Sequence, residues 1–158
     1  MIISFFLNGK EVEIDTPPHR RVSDLLREEF QIRSLKLNCS GCLSGFCIIL
    51  LNELPVHSCT LPAFELRYST VETLEWFTED PAFQDIIDGY SAAHIQPCSD
   101  CISARSLITE ELLSRKTRPS ADEAREAVNS VQCSCCSSRR LLDAILKTAR
   151  IREKRLNG

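Results

Sequence analysis

The sequence predicts an α+β fold in two parts: a strand-rich N-terminal half around one helix, then an all-helical C-terminal half. Three observations carry this expectation. Short apolar runs separated by turn residues fill the chain up to Val71, which is strand patterning. From Pro81 onward the apolar residues recur at helical spacing behind recognisable caps. The character of the sequence changes between them, over Glu75 to Asp80.

The elements follow in order. Ile2–Leu7 and Glu11–Ile14 flank Asn8-Gly9, a hairpin signal because both turn positions take positive φ. Ser23 is placed to cap a helix whose apolar face is Val22, Leu25, Leu26 and Phe30. A cysteine-rich loop runs from Asn38 to Phe46, with Gly41 and Gly45 giving the backbone freedom. Strands are expected at Cys47–Leu51 and Pro55–Cys59 around a turn at Asn52, with a last one at Arg67–Val71. In the second half, Asp80 caps and Pro81 opens a helix with the stripe Phe83, Ile86, Ile87 and Tyr90. A helix after Cys101 carries Ala104, Leu107, Ile108 and Leu112. Ser120 and Glu123 form a capping box, and the helix behind it turns Ala121, Ala124 and Val128 inward. The last helix starts near Ser138 and shows Leu142, Ile145 and Ala149.

Composition narrows the function. The chain has 158 residues and is 43% hydrophobic, so each half has a thin core and gains from a metal staple. Its net charge of −3 and pI near 5.7 speak against nucleic acid as a partner. The apolar run around Cys47 to Leu51 is far too short for a membrane span.

Cysteine is the outlier. There are nine, Cys39, Cys42, Cys47, Cys59, Cys98, Cys101, Cys133, Cys135 and Cys136, bunched at short spacings. Disulfides need an oxidising compartment, but MIISFFLNGKEVEI lacks the basic start of a secretory signal and the count is odd. The expectation is a cytoplasmic chain with reduced thiols that ligate metal. Cys39, Cys42 and Cys47 share one loop, and Cys59 follows a strand hairpin, the arrangement that wraps a [2Fe–2S] cluster in plant-type ferredoxins. Cys98-x-x-Cys101 and Cys133-x-Cys135 each precede an expected helix, whose N-terminus favours a negatively charged thiolate-bound group. Both sets are also open to zinc, which accepts four thiolates as well. Cys136 reads as a spare thiol. His57 reads as a strand surface residue, and the histidines are not arranged for a Rieske-type cluster. Trp76 and Phe77 read as core or interface, and Arg139, Arg140 and the run Arg150 to Arg155 as a solvated helix face.

These motifs, in this order, resemble the small iron–sulfur subunit of molybdenum hydroxylases, the group of xanthine dehydrogenase, carbon monoxide dehydrogenase and aldehyde oxidoreductase. The resemblance covers nearly the whole chain and rests on NCSGCLSGFC, PVHSC, QPCSDC and QCSCC, with 31 residues between Cys101 and Cys133. It implies a β-grasp ferredoxin-like domain over residues 1–76 and an all-α four-helix domain over 77–158. Each would hold one [2Fe–2S] cluster: the first on Cys39, Cys42, Cys47 and Cys59, the second on Cys98, Cys101, Cys133 and Cys135. It further implies a large molybdopterin-binding subunit and a FAD-binding subunit as partners. Electrons would enter at the helical-domain cluster and leave from the other to flavin or another acceptor. No catalytic site is expected on this chain alone.

The sequence departs from the family pattern in two places. Matching Cys39 and Cys47 to the family's outer loop cysteines puts Ser44 where a middle cysteine stands. Cys42 then ligates in a rearranged loop, or Ser44 ligates through oxygen, or the first cluster is lost; the preference of these clusters for thiolate favours Cys42. Pro97, Ser99 and Ser134 replace a glutamine, a glycine and an arginine of the family pattern, residues next to the second set but not ligands. The rival from another class is a zinc-stapled interaction module without redox activity.

Overall fold

Five strands make one mixed sheet in the order β2-β1-β5-β3-β4, in a computed structural model that describes residues 1–37 and 43–158. The strands are β1 (Ile2–Leu7), β2 (Lys10–Asp15), β3 (Ile48–Leu51), β4 (Leu54–His57) and β5 (Thr70–Glu72). β1 runs parallel to β5, and the other pairings are antiparallel. The β1–β2 hairpin turns where expected, with Asn8 at φ 50° and Gly9 at φ 76°. Along β1, Ile3, Phe5 and Leu7 alternate into the core, and the first helix, α1 (Val22–Glu28), covers them with Val22, Leu25 and Leu26. Phe30 lies just past the end of α1 and meets Phe5 edge-on at 5.8 Å.

Three boundaries differ from expectation, each for a tertiary reason. Ser23 does not cap α1. The helix is capped at Arg21, and Ser23 is buried inside the first turn. The N–H groups of Val22 and Ser23 donate to the carbonyls of Leu61 and Ser58, so the helix start needs no side-chain cap. β4 stops at His57 because the chain turns there: the Thr60 N–H donates to His57 O at 3.2 Å, and Ser58 O accepts from the Ser23 N–H of α1 at 3.0 Å. β5 starts late because a 3-10 turn, Ala63–Leu66, and a left-handed Tyr68 at φ 58° precede it.

The helical half contains α2 (Leu74–Phe77), α3 (Pro81–Ala92), α4 (Ile102–Arg115), α5 (Ala121–Asn129) and α6 (Ser138–Asn157). α2, a single turn, had no sequence signal. α3 opens as expected, with the Ala82 N–H donating to Asp80 Oδ1 at 2.7 Å. The capping box is formed: the Glu123 N–H donates to Ser120 Oγ and the Ser120 N–H to Glu123 Oε2. Ala124 and Val128 face inward, whereas Ala121, expected inward, is exposed in the first turn. Trp76 is half-exposed and lies over Gly9, while Phe77 is buried edge-on to Phe83.

The expected solvated face of α6 needs one correction. Arg152 is buried, its Nε 3.1 Å from Asp85 Oδ2 and its Nη2 2.6 Å from Glu110 Oε2. The apolar stripe of α3 leaves Asp85 on the α6 side, so the arginine is drawn inward by a carboxylate that the α6 sequence does not reveal.

β3 explains how the halves join. Ile49 packs into the core beneath α1, while Ile48 and Leu50 point the other way, into clusters with Cys101 and Ile108 and with Ile86 and Leu107. A strand buried on both faces reads as a continuous apolar run, which is how 47–51 reads.

Candidate metal centre

The second cysteine set comes together from two backbone devices. Cys98 and Cys101 occupy the turn that opens α4: the Cys101 and Ile102 N–H groups both donate to Cys98 O, at 3.2 and 3.0 Å. Cys101 is the residue preceding the helix. Cys133 and Cys135 sit in the connection between α5 and α6, fixed at one end by buried Val131 and at the other by the Ser137 cap of α6.

The four sulfur atoms all lie within 4.8 Å of one another. The shorter separations are Cys98 to Cys101 at 3.6 Å, Cys98 to Cys133 at 3.6 Å and Cys101 to Cys135 at 3.5 Å. Four thiolates at metal–sulfur bonds of about 2.3 Å around one ion have tetrahedral edges of about 3.8 Å, which the three shorter separations match. The donors are all sulfur, which suits zinc or an iron–sulfur cluster and not a hard cation. Cys136 is half-buried, 3.7 Å from the Cys135 sulfur and outside the group of four.

The electrostatics of the set ask for a cation. Burial pushes the Cys101 thiol up, and the neighbouring thiols of Cys135 and Cys98 push it further, against the pull of Arg105. Burial also raises Cys133 and Cys136. Cys135 goes the other way: burial would raise it, but hydrogen bonding by the Cys98 backbone and the surrounding thiols takes it down to about 7. Cys135 therefore ionises more readily than Cys101 and Cys133, and a bound metal cation would favour the thiolate form of its ligands.

The first set is described in part. Cys39 and Cys42 lie outside the described residues. Cys47 is buried just before β3, Cys59 follows β4, and their sulfurs are 3.2 Å apart. The buried Ser58 hydroxyl donates to Cys47 O at 2.6 Å, clamping the two ends of the β3–β4 pair. His57 is half-buried, not a plain surface residue, with Nδ1 3.9 Å from the Cys47 sulfur. The Ser44 hydroxyl accepts from the Phe46 N–H at 3.4 Å.

The two cysteine loops touch. The Gln132 N–H donates to Ser44 O at 2.9 Å, and Gly45, at φ 79°, packs so closely that an added Cβ would come within 2.7 Å of Ser130 O. Sequence reasoning missed this contact and also missed Arg105, a buried arginine one turn after Cys101. The signal for Arg105 was a charged residue four positions after Cys101, beside Ala104 and one turn before Ile108 on the expected apolar face of that helix.

No family model matches the chain. Individual relatives do. The nicotinate dehydrogenase small FeS subunit of Eubacterium barkeri is 32% identical over 133 residues, 84% of this chain and 85% of that protein. The 6-hydroxypseudooxynicotine dehydrogenase complex subunit beta of Paenarthrobacter nicotinovorans is 27% identical over 93% of this chain and 92% of its own length. Among solved structures, a chain of quinoline 2-oxidoreductase from Pseudomonas putida 86 superposes with a TM-score of 0.83 at 28% identity, over 97% of this chain and 96% of that one. With identity at that level across most of both proteins, and four convergent cysteines where the motifs require them, the chain belongs to the family of small iron–sulfur subunits of molybdenum hydroxylases.

Proposed function

We propose that this chain is the one-electron relay of a molybdenum hydroxylase complex, with two [2Fe–2S] clusters. The observation that carries the proposal is the convergence of Cys98, Cys101, Cys133 and Cys135, four sulfur donors within 4.8 Å from two separate segments. When bound, such clusters supply single-electron redox chemistry. The chain's own residues supply the thiolates and a partly buried site that limits water, the means by which proteins set a cluster's potential. Cys39, Cys42, Cys47 and Cys59 are the ligands proposed for the first cluster, in a β-grasp ferredoxin-like domain over residues 1–76, and the other four for the second, in a four-helix domain over 77–158. A molybdopterin-binding large subunit is the proposed electron donor and a FAD-binding subunit the proposed acceptor, in the cytoplasm. No helix among the described residues is long and apolar enough to cross a membrane, which accords with that reading.

Iron, acid-labile sulfide and EPR after dithionite on anaerobically purified protein test it. About four iron atoms and four sulfides per chain with two reduced signals are expected from two such clusters. About two iron atoms and one signal would remove the first cluster. Colourless protein containing zinc would replace the relay with the zinc-stapled module, which the family relationship disfavours.

A further inference from the structure

Arg105 lies one turn after Cys101 on α4 and is only 6% exposed. Among the described residues no carboxylate pairs with it. Its Nη1 donates to Val128 O at 3.3 Å and its Nη2 to Val131 O at 3.2 Å, at the C-terminal end of α5, where the helix dipole favours a cation. Its Nε is buried and has no hydrogen-bond partner among the described residues. A buried guanidinium without a carboxylate is costly unless another negative charge is close. Arg105 stands four residues after Cys101, on the same side of the α4 start, and holds the Val131 carbonyl two residues before Cys133, so the guanidinium is tied to both segments that carry the four cysteines.

We infer that Arg105 is the fixed counter-charge of the second cysteine centre and sets its reduction potential. This rests on the reading that Cys98, Cys101, Cys133 and Cys135 hold an iron–sulfur cluster. Four thiolates around such a core leave net negative charge. Reduction adds one electron from the donor, which is oxidised, and no bond forms or breaks. A cation held in a low-dielectric interior favours the more negative, reduced state, so Arg105 raises the potential. As the guanidinium acts through space on the thiolates, it is a positioning and potential-setting residue.

The test is an EPR-monitored redox titration of the full chain loaded with iron and sulfide, as wild type, R105Q and R105K. In R105Q one of the two signals shifts toward the oxidised form by roughly tenfold in equilibrium constant, which is about 59 mV for a one-electron couple. The other signal stays in place as an internal control, and R105K recovers most of the shift. Arg105 acting only as a clasp on α5 would lower the unfolding midpoint but leave both potentials alone, and R105Q with both potentials unchanged overturns the inference. If R105Q does not retain its cluster, pulsed EPR of wild-type protein carrying 15N-arginine decides. Hyperfine coupling of one reduced signal to a guanidinium nitrogen supports the inference, and its absence overturns it. Wild type with no reduced signal at all would instead overturn the electron-transfer reading.

Discussion

At the scale of single residues, the helical half is held by a charge that the α6 sequence hides. Asp85 is buried on α3; its Oδ1 accepts from Arg155 Nε at 2.9 Å and its Oδ2 from Arg152 Nε at 3.1 Å. Burial alone would raise the carboxyl, but the Arg155 and Arg152 guanidiniums outweigh it and hold it below the usual range. Replacing it with the isosteric amide, D85N, leaves Arg152 buried with only Glu110 opposite and should cost about 3 kcal/mol at pH 7, measured by urea unfolding. Because the folded-state pKa is the lower one, ionised Asp85 stabilises the fold at every pH above the ordinary carboxylate value. That contribution is lost as pH falls through the folded-state value. The gap between wild type and D85N should therefore be full at neutral pH and narrow below about pH 4. A gap that widened in acid would show that the pair does not stabilise the fold in this way. Arg152 and Arg105 were not legible in the sequence for one shared reason. A charge on a helix looks solvated until the element packed against it is known.

At the scale of elements, the legible features were those closed within a few residues. Asn8-Gly9, Asp80-Pro81 and the Ser120–Glu123 box carry their own hydrogen-bond partners, so their turns and caps stand as expected. The Ser23 cap failed because Leu61 and Ser58 supply acceptors from far along the chain. The spacing of Cys98, Cys101, Cys133 and Cys135 was legible, but the contact between the two cysteine loops was not, since it depends on α5 ending against Gly45. That contact can be tested. In G45A the residue is forced into a left-handed conformation that alanine adopts at a cost, and its Cβ would lie 2.7 Å from the Ser130 carbonyl oxygen. The neighbour is backbone, so relief requires the Cys47 loop and the Cys133 loop to separate. G45A should lose about 1–3 kcal/mol and bind less iron than wild type. S120A provides the contrast: loss of the cap should cost about 1 kcal/mol with iron content unchanged. Equal iron in G45A and S120A would show that the loops do not depend on one another.

At the scale of the molecule, metal binding and folding are one equilibrium. The four sulfurs are brought together by the start of α4 and the α5–α6 connection, which meet in a small apolar cluster of Ile48, Ala104, Ile108 and Val131 with Phe46 and Ala127 packed against it. Burial favours Cys101 and Cys133 as thiols in the absence of metal, so metal-free protein has no bond to hold the four sulfurs together. Metal that binds the folded state and not the unfolded chain adds its free energy to stability, and about 3 kcal/mol is expected at somewhat more than roughly 100-fold excess over the dissociation constant. The loss should also be uneven. The β1–β2 hairpin and α1 close their own core around Ile3, Phe5 and Leu25, remote from the second centre, whereas the start of α4 and the residues before α6 depend on it. Hydrogen exchange on chelated protein should therefore speed first over 96–106 and 130–140, while β1 stays protected. Should β1 exchange as early as those segments, the doubly buried strand β3, with Ile49 on one side and Ile48 and Leu50 on the other, must transmit metal loss through the whole molecule, and the two halves would be one cooperative unit.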